Sequence, residues 1–138
     1  MQTDYLDAHE RHREDAELLF QTQHWANADH LYGIAAECGL KRLMLAFGMP
    51  YDTSNDRPAI GSDRKHADIL WARYESYRCG HHLGAGYALT TPNPFDDWDV
   101  GQRYAHRSNF NRDRVEAHRS GAEAVGQLIQ KARWEGLI

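Results

Sequence analysis

The sequence predicts an all-α fold: an antiparallel up-and-down helical bundle of four main helices plus a short fifth helix, in one domain over residues 1–138. Three observations predict it. Several long segments carry apolar residues at alternating three- and four-residue spacing, which gathers them on one helix face. No segment shows convincing period-two alternation of the strand type. The breaks between segments hold Gly, Pro, Asn, Asp and Ser, the residues of caps and turns. A chain of this length is sufficient to bury a real core.

The first helix is expected from a Thr3 or Asp4 cap to about Gln23, with Asp7 in its first turn. Its seam reads Tyr5, His9, His12, Ala16, Leu19, Gln23, and the opposite face of Glu10, Arg13, Glu14 and Glu17 is charged. A short break at Gln23–Trp25 makes the first two helices a hairpin. The second helix, Ala28 to Phe47, is apolar on more than one face, as a helix with neighbours on most sides must be. Within it Glu37 and Lys41 stand four apart, where side chains meet, and read as a structural charge pair fixing register. Gly33 and Gly39 lack a Cβ and let another backbone come close.

Gly48 and Pro50 end that helix, and residues 51 to 61 read as a polar loop. Ser62 or Asp63 caps a third helix, roughly Arg64 to Arg78, with Ala67, Leu70, Trp71, Tyr74 and Tyr77 on one face. From Cys79 to Gln102 the glycines and prolines break the period; short helical turns are expected near 83–89 and 98–106. The last helix, Asn111 to Trp134, has a sustained seam of Val115, His118, Ala122, Val125, Ile129 and Ala132.

Composition narrows the function. Sixteen Lys and Arg against 20 Asp and Glu give a net charge of −4, which argues against a strongly basic nucleic-acid binder but leaves room for a local basic patch. No apolar run reaches the ~20 residues of a membrane span, and the polar, acidic start is unlike a signal peptide. No membrane association and a cytoplasmic location are therefore expected. Two cysteines make no disulfide framework. Nine histidines raise the question of a metal, yet no Glu-x-x-His pair occurs, and Cys79 with His81 has no matching second pair. No metal and no cofactor are expected. No phosphate-binding glycine loop occurs either, and no nucleophile elbow.

The most specific arrangement opens the last helix: Arg112-Asp113-Arg114-Val115-Glu116-Ala117-His118. His118 lies on the packing seam, with Arg114 one turn before it and Arg112 near the helix start. An imidazole serves as acid or base near neutral pH, and an arginine grips a phosphate with two parallel bonds. Together they suit metal-free cleavage of RNA by its own 2′-hydroxyl. A satisfied core histidine beside a solvated arginine fits the same residues. Arg103, Arg107, Arg112, Arg114 and Arg119 fall within 17 residues and could form a basic strip for phosphate or RNA.

Two stretches resemble the HEPN family of small helical-bundle domains. The first is the helical hairpin HREDAELLFQTQHWANADHLYGIAAECGLKRLM, where Ala16, Leu18 or Leu19, Trp25, Ala28, Ala36, Glu37, Leu40 and Lys41 fit the family pattern. The second is Arg112-x5-His118, which fits the family's Arg-x4-6-His motif, with Asp113 as the polar residue after the arginine. Arg103 with His106 and Arg78 with His82 are competing pairs of less fitting spacing. The resemblance implies a homodimer with the motif helices facing each other across a cleft. Active members are metal-independent endoribonucleases, often toxins or defence components. In that reading Arg112 binds phosphate, His118 is the acid/base and Asp113 orients one of them. Other members are non-catalytic partners of nucleotidyltransferases that bind nucleotide or substrate, and the same residues allow that reading.

Overall fold

A computed structural model describes residues 1–138, and the chain is mostly helical. Its long elements are α1 (Tyr5–Gln21), α2 (Trp25–Ala46), α3 (Ala67–Cys79) and α4 (Arg112–Trp134). A hairpin of two-residue strands, β1 (Tyr51–Asp52) and β2 (Arg57–Pro58), pairs antiparallel between α2 and α3. No helix is long and apolar enough to cross a membrane.

Local chemistry sets the boundaries. The Asp4 carboxylate accepts from the N–H groups of Leu6 and Asp7, both at 3.0 Å, satisfying two of the free donors that every helix start leaves. α1 ends two residues before the expected Gln23, because Gln23 itself takes a left-handed conformation (φ 61°) that reverses the chain. α2 then begins at Trp25, three residues earlier than its apolar run suggests. It meets α1, α3 and α4 and buries residues around most of its circumference, from Ala28 to Met44. Two of its glycines are notches. The Trp98 indole fills the space where a Cβ of Gly33 would lie, and a Cβ on Gly39 would stand 2.5 Å from Val125 and 2.7 Å from the His9 ring. His9 is buried there between helices, its Nδ1 2.8 Å from the Ala35 carbonyl, and burial lowers its pKa. Cys38 is also buried, which pushes its thiol up to about 12 and makes it an inert packing residue.

Three expectations need correction. The loop at 51–61 contains the β1–β2 hairpin, turned by Asp52, whose carboxylate accepts from Ser54 and Asn55 N–H at 3.1 Å each; strands of two residues are too short to show alternation. α3 starts at Ala67 rather than Arg64, because Asp63 is not its cap. That carboxylate is fully buried, accepting from Arg73 Nε at 2.7 Å and Tyr77 Oη at 2.6 Å, and so ties the entry loop to α3. The short fifth helix is not found as a single element: 3-10 turns stand at Gly84–Tyr87, Val100–Tyr104 and Arg107–Asn109, the first two inside the stretches where short helical turns are expected. The 84–104 stretch is instead pinned by side chains: Phe95 and Trp98 are buried in the main core, and Asp99 caps the 100–104 turn. α4 is capped by Asn111, whose side chain accepts from Arg114 N–H at 3.0 Å, and its six seam residues are all buried.

Candidate functional site

His118 sits on the seam of α4 and is fully buried. Its Nδ1 lies 2.6 Å from Oδ1 of Asp29 on α2, and its Nε2 lies 3.0 Å from Oδ1 of Asp97. Both ring nitrogens are thus taken up by carboxylate oxygens inside the bundle, leaving neither free for another partner. The Phe95 ring stacks on the imidazole, 5.3 Å between centroids and 10° from parallel. Arg114, one turn earlier, donates to Asp97 through Nη1 to the carboxylate and Nη2 to the main-chain carbonyl, each at 2.6 Å. Its Nε is 3.5 Å from Asp29, whose second oxygen also accepts from Gln102 Nε2 at 2.6 Å. Partial burial raises the pKa of Asp97, but the His118 hydrogen bond and the charges of His118 and Arg114 outweigh it and hold the carboxyl below its ordinary range. Two carboxylates, one imidazole and one guanidinium thus form a matched cluster.

The expected catalytic group is not brought together. Arg112 and Asp113 are exposed at the start of α4, and neither makes a side-chain hydrogen bond or ion pair, with His118 or with any other residue. His118 has no face toward solvent, because a seam position on a bundle helix is a core position. The arginine strip divides in the same way. Arg114 is committed to Asp97. Arg119 is bound by both Glu17 oxygens, at 2.7 and 3.0 Å, and lies over the Phe20 ring. Arg103 and Arg107 remain exposed without a carboxylate. Glu37 and Lys41 do meet, at 2.6 Å, with Lys41 buried; His66 Nδ1 is 2.8 Å from the other Glu37 oxygen. No three His, Cys, Asp or Glu residues gather closely enough to hold a metal ion.

A groove of ≈ 640 Å³ opens on the other side of Gln102. One wall is the turn before α2 and its first turn: Gln23, His24, Trp25, Ala26 and Asn27. The other is the run from Gln102 to Arg107. Its lining contains no carboxylate, in a chain with 20 of them. It does contain two arginines, Arg103 and Arg107, and two imidazoles, His24 and His106. The His106 ring is fixed by its own loop, with Nδ1 3.3 Å from Ser108 N–H and 2.9 Å from Ser108 Oγ. α2 starts without a side-chain cap and without an acid in its first turn, the two local devices that offset the positive end of a helix. Gln102 belongs to both places: its amide bonds Asp29 inside, and the residue lines the groove outside.

The partners Asp29 and Asp97 and the groove residues His24, Asn27 and Tyr104 stand outside the motif reading of the sequence, which has Trp25 only as a position of the hairpin pattern. Its signals for the groove are the Arg103–His106 pair and the Arg103 and Arg107 positions of the arginine strip. The rest are joined only by tertiary structure: Asp29 is 89 residues from His118. The arrangement can hold an anion in the groove, because guanidinium and imidazole donors face it with no competing acid. No family model matches the chain, and neither a curated protein nor a solved structure matches it.

Proposed function

We propose that the chain is a HEPN-like domain that engages RNA or nucleotide by binding it, without using His118 as a catalyst. The observation that carries this reading is the groove lined by Arg103 and Arg107 with no carboxylate beside them. Phosphate contacts of that kind supply most sequence-independent affinity for nucleic acid. The burial of His118 between Asp29 and Asp97 favours the non-catalytic branch of the resemblance over the ribonuclease toxin. An acid/base must reach the hydroxyl it serves, and a ring with both nitrogens bonded inside the core does not. The nucleotidyltransferase partner and the homodimer implied by the resemblance belong to this proposal too. The bundle's antiparallel, up-and-down order is supported by the way α1 meets α4, with ion pairs of Glu10 to Arg133, Arg13 to Glu123 and Glu17 to Arg119.

The test is binding and cleavage of a labelled single-stranded oligoribonucleotide by the wild type and by Arg103→Glu/Arg107→Glu. The reading expects salt-sensitive binding by the wild type, a loss of at least tenfold in the double variant, and intact RNA throughout. Cleavage that disappears in both Arg112→Ala and a folded His118→Asn would contradict it.

A further inference from the structure

The groove's second wall indicates what kind of anion it takes. A cleft of ≈ 640 Å³ falls within the size range of small-molecule sites, about 300–1,000 Å³. It is too wide to be a cradle for a bare phosphate. Its lining is also not uniformly polar. Tyr104 stands at the rim with 81% of its surface exposed, although an exposed aromatic ring of that size gains nothing from water. The Arg103 guanidinium lies over one face of that ring, 4.8 Å from its centre, which leaves the other face open. Across the groove, Trp25 packs edge-on against Phe20, with centroids 5.2 Å apart, which ties the α2 wall to the end of α1. A guanidinium stacked on a ring is already placed to hold a phosphate while the ring's free face takes a planar base.

We infer that this groove is a single-nucleotide site, in which Arg103 and Arg107 hold the phosphate and the open face of Tyr104 stacks on the base. The inference rests on the RNA- or nucleotide-binding reading and narrows it to a nucleoside phosphate ester, whether free or within a strand. The ligand lies against α2, away from the Arg112–His118 motif. Asn27, exposed and without side-chain hydrogen bonds at the third position of α2, marks that wall.

Asn27→Glu is the decisive variant. A carboxylate in the first turn of a helix favours the helix, so the fold is kept, while the groove gains the negative charge that it lacks. Labelled hexa-adenylate is titrated into wild type, Asn27→Glu and Tyr104→Ala, with AMP, adenosine and inorganic phosphate as competitors and a melting curve for each variant. Asn27→Glu is expected to weaken hexa-adenylate at least tenfold with its melting temperature unchanged or raised. Tyr104→Ala is expected to weaken it about tenfold, the contribution of one stacked base, and to leave any competition by phosphate unaltered. Competition by AMP but not adenosine identifies a free nucleotide as sufficient. Binding of hexa-adenylate without competition by AMP, still lost in Asn27→Glu, identifies the strand as the source. Hexa-adenylate binding that depends on Arg103 and Arg107 yet stays within twofold in both Asn27→Glu and Tyr104→Ala overturns the single-nucleotide site and leaves RNA binding standing. No binding of any probe by the wild type removes both.

Discussion

The two sides of Gln102 differ in one property. Inside, every charge has a partner: His118 and Arg114 face Asp29 and Asp97, and Gln102 fills the remaining oxygen. Outside, Arg103 and Arg107 line a groove that holds no acid at all. Matched charges out of water are a structural element whose cost falls on whoever removes one partner. Unmatched cations at a concave surface are repelled by one another and relieved by a ligand. Similar residues, an arginine and a histidine a few positions apart, therefore mean opposite things in Arg114–His118 and in Arg103–His106. Partners decide between them, and spacing does not.

The largest expected effect comes from breaking the inside. His118→Ala leaves Oδ1 of the fully buried Asp29 without its partner and opens a cavity on the α4 seam, and should cost about 3–5 kcal/mol of folding stability, measured by urea or thermal unfolding. A loss below about 1 kcal/mol would mean that the cluster is solvated and that His118 is accessible after all. Acid should act next. Burial lowers the pKa of His9, His12 and His30, so the unfolded chain binds protons that the folded chain refuses. Stability should be full above the ordinary histidine value near 6.5 and fall as pH drops below it. Asp97, held below its ordinary range, adds a later loss, at the pH where its folded-state carboxyl takes up a proton. A stability profile flat from pH 7 to 5 would contradict the burial of those rings.

Smaller effects are expected outside. Arg103→Ala and Arg107→Ala break no side-chain hydrogen bond or ion pair and should change stability by less than about 0.5 kcal/mol, while each weakens oligonucleotide binding. Binding itself should fall with salt along a shallow slope, roughly 0.7 per phosphate contacted by a single strand. A slope near zero would argue for an uncharged ligand.

Much of the scaffold was legible in the sequence, because its signals are local. The α4 seam from Val115 to Ala132 follows helical period, and the Asp4 cap stands one residue before its helix. What escaped was set by contacts across the chain. Asp63 reads as a helix cap because Asp is a good cap, but Arg73 and Tyr77, ten and fourteen residues on, draw it into the core. His118 was placed correctly on a buried face, yet its partners Asp29 and Asp97 come from α2 and from a stretch with no period of its own. The groove was less legible still. One wall is the turn before α2 and its first turn, and the other is the irregular run from Gln102 to Arg107, which follows Trp98 seated in the Gly33 notch and has no period of its own.

The central claim is that ligand engages the outside of Gln102 and leaves the buried cluster untouched. Amide and imidazole chemical shifts followed by NMR during titration with hexa-adenylate test it most directly. The expected result is movement confined to residues 24–27 and 102–107, with the His118 ring unmoved. Shifts centred on Arg112 and His118, with residues 24–27 silent, would contradict it.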